Sequence, residues 1–294
     1  MMHIKRSRGE ILFNIINYIV LTIVMVVCLY PIWHVLMASI SDNVEIMRYQ
    51  GILVWPKGFD LGAYGVVMQN PAIVSGYINT LFVVIVGSAL NIIMTSLAAY
   101  VLSRKNFIMG KPLMVMIVIT MYFGGGLIPF YFTVRDAGLD GSLWALIVPR
   151  VINTFYLIIL RTAFMSIPDS LEEAARVDGA SHIRILFNVV LPLSMPTIAV
   201  LILYYGVGHW NEWFDAMIFL RTDRDKYPLQ LILREILLQN TMADSTVINT
   251  DNRPDIGETV KYALIIVSTI PILCVYPFLQ KYFVKGVMVG SVKE

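Results

Sequence analysis

Charge is what this sequence has least of. Asp, Glu, Lys and Arg make up 14% of its 294 residues, against about 25% in an average soluble domain. The shortage is concentrated. Residues 11–41, 61–103 and 112–134 contain no charged side chain. Roughly 20 apolar residues carry a helix across the hydrocarbon layer, and each stretch is that long. Soluble cores are built from shorter runs, so a soluble globular protein is excluded and a polytopic membrane protein is indicated.

Other absences narrow the function. The two cysteines, Cys28 and Cys274, both lie in apolar runs. They read as small packing residues, with no disulfide framework. His3, His34, His182 and His209 show no metal-ligand spacing. No nucleophile stands with a suitable base, so no catalytic residue is assigned and the chain reads as a non-enzyme. There is no Gly-x-x-x-x-Gly-Lys-Ser/Thr loop, and "FGGGLIP" is glycine-rich but lacks the lysine. The chain is therefore not its own ATPase. A net charge of +2 gives no footprint for nucleic acid. No internal repeat or low-complexity tract is present.

What is present reads as an all-α protein with six transmembrane helices, over roughly 11–39, 76–102, 112–134, 143–164, 193–219 and 260–281. "KRSR" before the first run resembles the start of a signal peptide, but that run is about twice the length of a signal core. It is read as a retained first span. Lys and Arg in short loops set orientation. Lys5, Arg6 and Arg8, then Arg104, Lys105 and Lys111, then Arg161, Arg176 and Arg184, then Lys281, Lys285 and Lys293 fall on one side, and both termini are expected there, in the cytoplasm. The reading divides the chain into three parts. Residues 1–75 hold the N-terminus, first span and an extracytoplasmic segment; 76–281 hold a five-helix core containing loop 167–192; 282–294 form a cytoplasmic tail.

That loop is a charged island. Asp169, Glu172, Glu173, Arg176, Asp178 and Arg184 crowd into it. At mid-bilayer each would cost about 2.5–3.5 kcal/mol, roughly 15–20 kcal/mol together, so the loop belongs in water or at the interface. It has helix grammar. Asp169 and Glu172 are spaced for a capping-box-like pair, Gly179 supplies a left-handed end, Ser181 a second cap, and Pro192 a stop or kink. Leu171, Ala174 and Ala175 form a narrow stripe of mostly small side chains that lets another surface come close.

"EAARVDGASHIRILFNVVLP" at 173–192 resembles the EAA loop of ABC-importer permeases. Glu173, Ala174, Ala175, Gly179, Leu191 and Pro192 meet the pattern at its full spacing, with Val189 in the usual Ile position. "YPFLQKYFVKGVMVGSVKE" and "KYPLQLIL" resemble the carbohydrate branch, in particular the shorter permease of the maltose-type pair, and "MYFGGGLIPFY" resembles a subgroup for complex oligosaccharides. The resemblance implies the type I importer permease fold and a multi-pass protein of a prokaryotic plasma membrane. It implies a sugar or oligosaccharide delivered by an extracytoplasmic binding protein, a second homologous permease, and two cytoplasmic ATPase subunits that bind the ATP. This chain then needs no cofactor of its own. Glu173, Ala174, Ala175, Asp178, Gly179, Leu191 and Pro192 would form the surface that couples to the ATPase.

Polar groups inside spans mark a cavity or pathway. Asn79, Asn91 and Arg150 are such groups, as are Trp210, Asn211, Glu212 and Trp213 in "GHWNEWFDAM". They are the candidates for a sugar path, although tryptophan at a span end also serves as an interfacial belt, and Glu212 or Asp215 also suits a partner for Arg150. Gly124, Gly125 and Gly126 read as a backbone break in the third span. The rival readings are a gradient-driven transporter, which needs carboxylates at mid-span, and a membrane enzyme, which needs a catalytic cluster. Neither explains the island.

Overall fold

The computed structural model describes residues 8–245 and 257–291. His3, Lys5, Arg6 and Lys293 lie outside them. Among the described residues every regular element is helical. In order these are α1 (Arg8–Ser39), α2 (Asn43–Arg48), α3 (Gly62–Gln69), α4 (Pro71–Ser103), α5 (Gly110–Tyr122), α6 (Leu127–Asp136) and α7 (Thr154–Met165). There follow α8 (Asp169–Val177), α9 (His182–Ile185), α10 (Leu191–Leu193), α11 (Met195–Trp210), α12 (Phe214–Phe219), α13 (Leu229–Ser245) and α14 (Glu258–Ser291).

Arg8–Ser39, Pro71–Ser103 and Glu258–Val275 are each long and apolar enough to cross a membrane. Three further spans exist only as bent pairs, and six result if each pair counts as one. The break at Gly124–Gly126 was expected, the other two bends were not, and each has a local cause. Residues 112–134 break between α5 and α6 with a 117° turn. Gly124, Gly125 and Gly126 carry no side chain to favour a helix there, and Gly126 sits at φ +85°, open to glycine. Residues 143–164 begin as 3₁₀ turns, Leu143–Leu146 and Val148–Arg150, and bend by 50° before α7. Asn153 restarts the helix by accepting from the Phe155 and Tyr156 amides at 3.0 and 3.2 Å. The predicted fifth span, 193–219, is two helices, because α11 ends at Trp210.

Pro192 neither stops the chain nor kinks it on the spot. It lacks an amide to donate. The turn before it widens into a π-helix over Leu186–Val190, in which the Leu191 amide reaches back to Leu186. The 86° bend comes at Ser194, followed by Pro196 in the first turn of α11.

Of the described residues, 71–235 and 270–291 form one compact unit. α4 is its central rod, with α7 and α11 packed along it. Leu157, Leu160 and Phe164 of α7 and Leu201 of α11 meet Ala99 and Leu102 of α4 in the core. Lipid tails are as apolar as leucine, so burial alone drives helices together weakly in a membrane. Close approach and polar ties carry more of the load. A Cβ at Gly76 would lie 2.6 Å from Ile232 Cδ1, and one at Gly87 would lie 2.7 Å from His209 Nε2. Asn79 donates to the carbonyls of Asp225 and Tyr227 at 2.7 and 3.2 Å. Asn91, fully buried, donates to the carbonyls of Arg150 and Val151 at 3.1 and 2.8 Å and meets His209 Nε2 at 2.7 Å. Thr95 and Tyr205 share a 2.8 Å hydrogen bond, and the Tyr205 hydroxyl accepts from the Asn153 amide at 3.1 Å. Asn79 and Asn91 thus both tie α4 to neighbouring backbone.

Of the described residues, 8–70, 236–245 and 257–269 form the other unit. Met37, Ala38, Ile46 and Leu53 are its buried cluster. Asp42 caps α2 through the Val44 and Glu45 amides, and the Tyr30 hydroxyl accepts from the Leu53 amide at 3.1 Å. Most of α1 faces outward. Cys28 and Cys274 are both exposed, so neither is the interior packing residue that the sequence suggested.

Candidate coupling surface and substrate path

The island folds as a nine-residue helix, α8, about 14 Å long. Its end is a Schellman motif. The Ala180 amide donates to the Ala175 carbonyl at 2.9 Å, and the Gly179 amide to the Arg176 carbonyl at 3.0 Å. Gly179 takes φ +80°, as expected of a left-handed end. Ser181 caps α9 through the Arg184 amide.

The start of α8 differs from the expectation. Pro168 is the cap residue, and no side chain caps the helix. Asp169 is already inside the first turn, where its carboxylate pairs with Lys105. Glu172 is turned inward and pairs with Arg104. These acids favour the helix by charge at its positive end, but they bond the segment after α4 and not the helix's own first amides. The hydrogen bond from Lys105 holds the Asp169 carboxyl below the usual carboxylate range. Burial pulls the Arg104 guanidinium below its ordinary value, with nearby Arg176 acting the same way.

The opposite side of α8 is free. Glu173, Ala174, Asp178 and Gly179 are exposed, while Ala175 and Leu191 are half-buried and pack on the core. Leu171, Val177 and Ile183 are exposed beside them. Pro192 is exposed at the bend. The surface thus presents small and acidic side chains ringed by apolar ones, on a helix whose back is bolted down. The predicted coupling residues are brought together, except that Leu191 and Ala175 serve the packing beneath.

The second group centres on Arg150. Its guanidinium pairs with the Asp215 carboxylate at 2.9 Å. The Asp215 side chain is 3% exposed and that of Arg150 is 60% exposed. One edge of the guanidinium is therefore anchored while much of it remains open. Glu212 accepts from the Asp215 amide at 2.9 Å, and Arg150 also lies over the Phe130 ring. The tryptophans divide. Trp210 is buried and edge-on to Tyr77, a packing residue rather than a path residue. Trp213 lies beyond the end of α11, with Arg234 over its ring at 4.2 Å. Asn211 is the exposed cap of α11, donating to the Val207 carbonyl at 2.9 Å.

The sequence reading did not assign Arg104, Lys105 or Tyr205 to any site. A basic pair directly after a long span, facing an acidic loop on the same side, was the available signal for the first two. Nothing in the sequence marks Tyr205.

A fold of bent spans around one long rod, with a solvated helix fixed to its end, is that of an importer permease. The model of the family described as binding-protein-dependent transport system inner membrane component matches residues 91–289. The chain is 41% identical over 284 residues to the polygalacturonan/rhamnogalacturonan transport system permease protein YtcP of Bacillus subtilis, covering 96% of this chain and 98% of that one. It is 37% identical over 285 residues to the protein LplC of the same organism, covering 96% and 95%. A crystal structure of a bacterial ABC transporter that imports the acidic polysaccharide alginate contains a chain that superimposes with a TM-score of 0.86 at 34% identity, covering 96% of this chain and all of that one. The chain belongs to the family of binding-protein-dependent transport system inner membrane components. It is a permease subunit of an ABC importer.

Proposed function

We propose that this permease carries an oligosaccharide across a prokaryotic plasma membrane, both termini cytoplasmic, paired with a second homologous permease. Two ATPase subunits bind ATP and dock on loop 167–192, and an extracytoplasmic binding protein delivers the sugar. The observation that carries the reading is the two-sided island. Glu173, Ala174, Asp178 and Gly179 face outward from a helix whose other side is ion-paired to the segment after α4. A short rigid helix with small side chains suits a groove on a partner, and its charges stay solvated at the rim.

The relative named for polygalacturonan and rhamnogalacturonan, and the importer of acidic alginate, make an acidic oligosaccharide the substrate to try first. Arg150 supports that choice. It is anchored by Asp215, yet its side chain is open enough to meet a carboxylate or hydroxyls.

The test is uptake into proteoliposomes holding the complete importer, with its binding protein outside and ATP within. Oligogalacturonates and neutral malto-oligosaccharides are compared. ATP-dependent uptake of either supports the importer, and preference for the acidic series supports the role given to Arg150. Uptake without ATP, driven by an ion gradient, contradicts the account.

A further inference from the structure

The cytoplasmic end of α4 is tied to everything around the docking helix. Arg161 of α7 donates to the Leu102 carbonyl at 2.8 Å. The Arg104 Nε donates to the Tyr100 carbonyl at 3.2 Å and to Ser103 Oγ at 3.1 Å, and its guanidinium stacks on the Tyr100 ring at 4.5 Å. Only its far edge reaches α8, where it pairs with Glu172. Both members are shielded, with side chains 18% and 8% exposed. The neighbouring Lys105–Asp169 pair is largely in water, at 76% and 59%, and exposed pairs hold little. A polar cleft of about 180 Å³ lies here, lined among others by Arg104, Glu172 and Arg176.

Near this end α4 also packs on α7 through Ala99 and Leu102, and the Tyr100 hydroxyl meets His182 Nδ1 at 3.5 Å; of the ion pairs, only Arg104–Glu172 is both shielded and made to α8. Asn91, 13 residues and about 20 Å up the helix, grips the Arg150 and Val151 carbonyls. Asn79 and Thr80 grip Asp225, Tyr227 and Leu229. α4 runs as one uninterrupted helix from Pro71 to Ser103, with proline only at its first position. One continuous helix thus leads from the docking helix at one end to the backbone carrying Arg150 midway along.

We infer that Arg104 and Glu172 are the joint through which movement of the docking helix reaches α4, and through it the segment that holds Arg150. They are positioning residues and touch neither ATP nor sugar. The joint rests on the coupling role proposed above for loop 167–192. It is separable from it, because Glu172 faces inward and the docking surface does not include it.

The test uses the whole importer in proteoliposomes. Glu172→Arg, Arg104→Glu and the double reversal are compared for ATPase co-purification, ATP hydrolysis and sugar carried per ATP. The single reversals should retain the ATPase yet carry about tenfold less sugar per ATP, a loss on the scale of ordinary site-to-site coupling. The double reversal should regain most of it, as expected of a directly interacting pair. Wild-type coupling in the single variants overturns the inference, and so does a loss that the double reversal fails to repair. If the reversals do not reach the membrane, Glu172→Gln replaces them, and unchanged sugar per ATP in that variant overturns the joint. Gly179→Val is the control. If it leaves docking and transport intact, the coupling role of the loop fails; if it weakens docking while the joint variants stay coupled, only the joint fails.

Discussion

Gly179 offers the sharpest test of how the island is built. It closes the Schellman motif at φ +80°, and a Cβ placed on it would meet nothing within 4 Å. A substitution there meets a backbone cost and no clash within the chain. For a β-branched residue the left-handed conformation costs about 1–2 kcal/mol, whereas asparagine tolerates it. If α8 must keep its end to dock, that cost reduces the docking-competent fraction, and affinity falls by the same factor. A penalty of 1–2 kcal/mol corresponds to roughly 5–30-fold. The assay is the Kd of the purified ATPase for the solubilised permease pair carrying Gly, Asn, Ala or Val at 179. Affinity should fall in the order Gly, Asn, Ala, Val, with Asn near wild type. Equal weakening by Asn and Val would refute the conformational reasoning, because it would mean that the partner needs the missing side chain and not the backbone angle.

Arg150→Ala removes an open charged donor, and bonds to charged groups are worth about 1.5–3 kcal/mol; uptake of acidic sugar should fall about tenfold or more while ATPase co-purification holds. Equal loss of both would make Arg150 structural. Asn91→Leu removes the donor to the Arg150 and Val151 carbonyls and the contact with His209, so melting of the solubilised complex should show a loss of about 1–3 kcal/mol; an unchanged melting temperature would mean that the tie is redundant. Asp169→Asn should leave the melting temperature unchanged at pH 7. Lys105 lowers the Asp169 carboxyl, so any stabilisation is present above the ordinary carboxylate pKa and lost only as pH falls through the lowered value. In water-exposed positions that pair contributes little, and a melting temperature that drops between pH 8 and pH 5 in wild type but not in Asp169→Asn would contradict this.

The long unbroken elements were legible because their cause is local. α4, and α1 beyond Arg8 and Glu10 in its first turn, are uncharged runs, and their ends fall near the expected limits. The end of α8 was legible because only glycine readily takes that backbone angle. Hydropathy measures length and not direction, so the breaks at Asn153 and at Ser194 were not legible, whereas the one at Gly124–Gly126 was, from the glycines themselves. The capping-box expectation failed because Asp169 and Glu172 had better partners 64 and 68 residues away in Lys105 and Arg104. The tryptophans looked alike in sequence, yet α11 ends between them, which buries Trp210 and places Trp213 beneath Arg234.

The central claim is that this permease works through an ATPase docked on α8. The most direct measurement is to tag the chain in its native membrane, solubilise it gently and identify by mass what accompanies it, in parallel with Glu173→Lys. The account predicts a second permease with both forms, and an ATPase carrying the phosphate-binding loop with wild type alone. Recovery of the chain without an ATPase, active in vesicles lacking ATP, would contradict it.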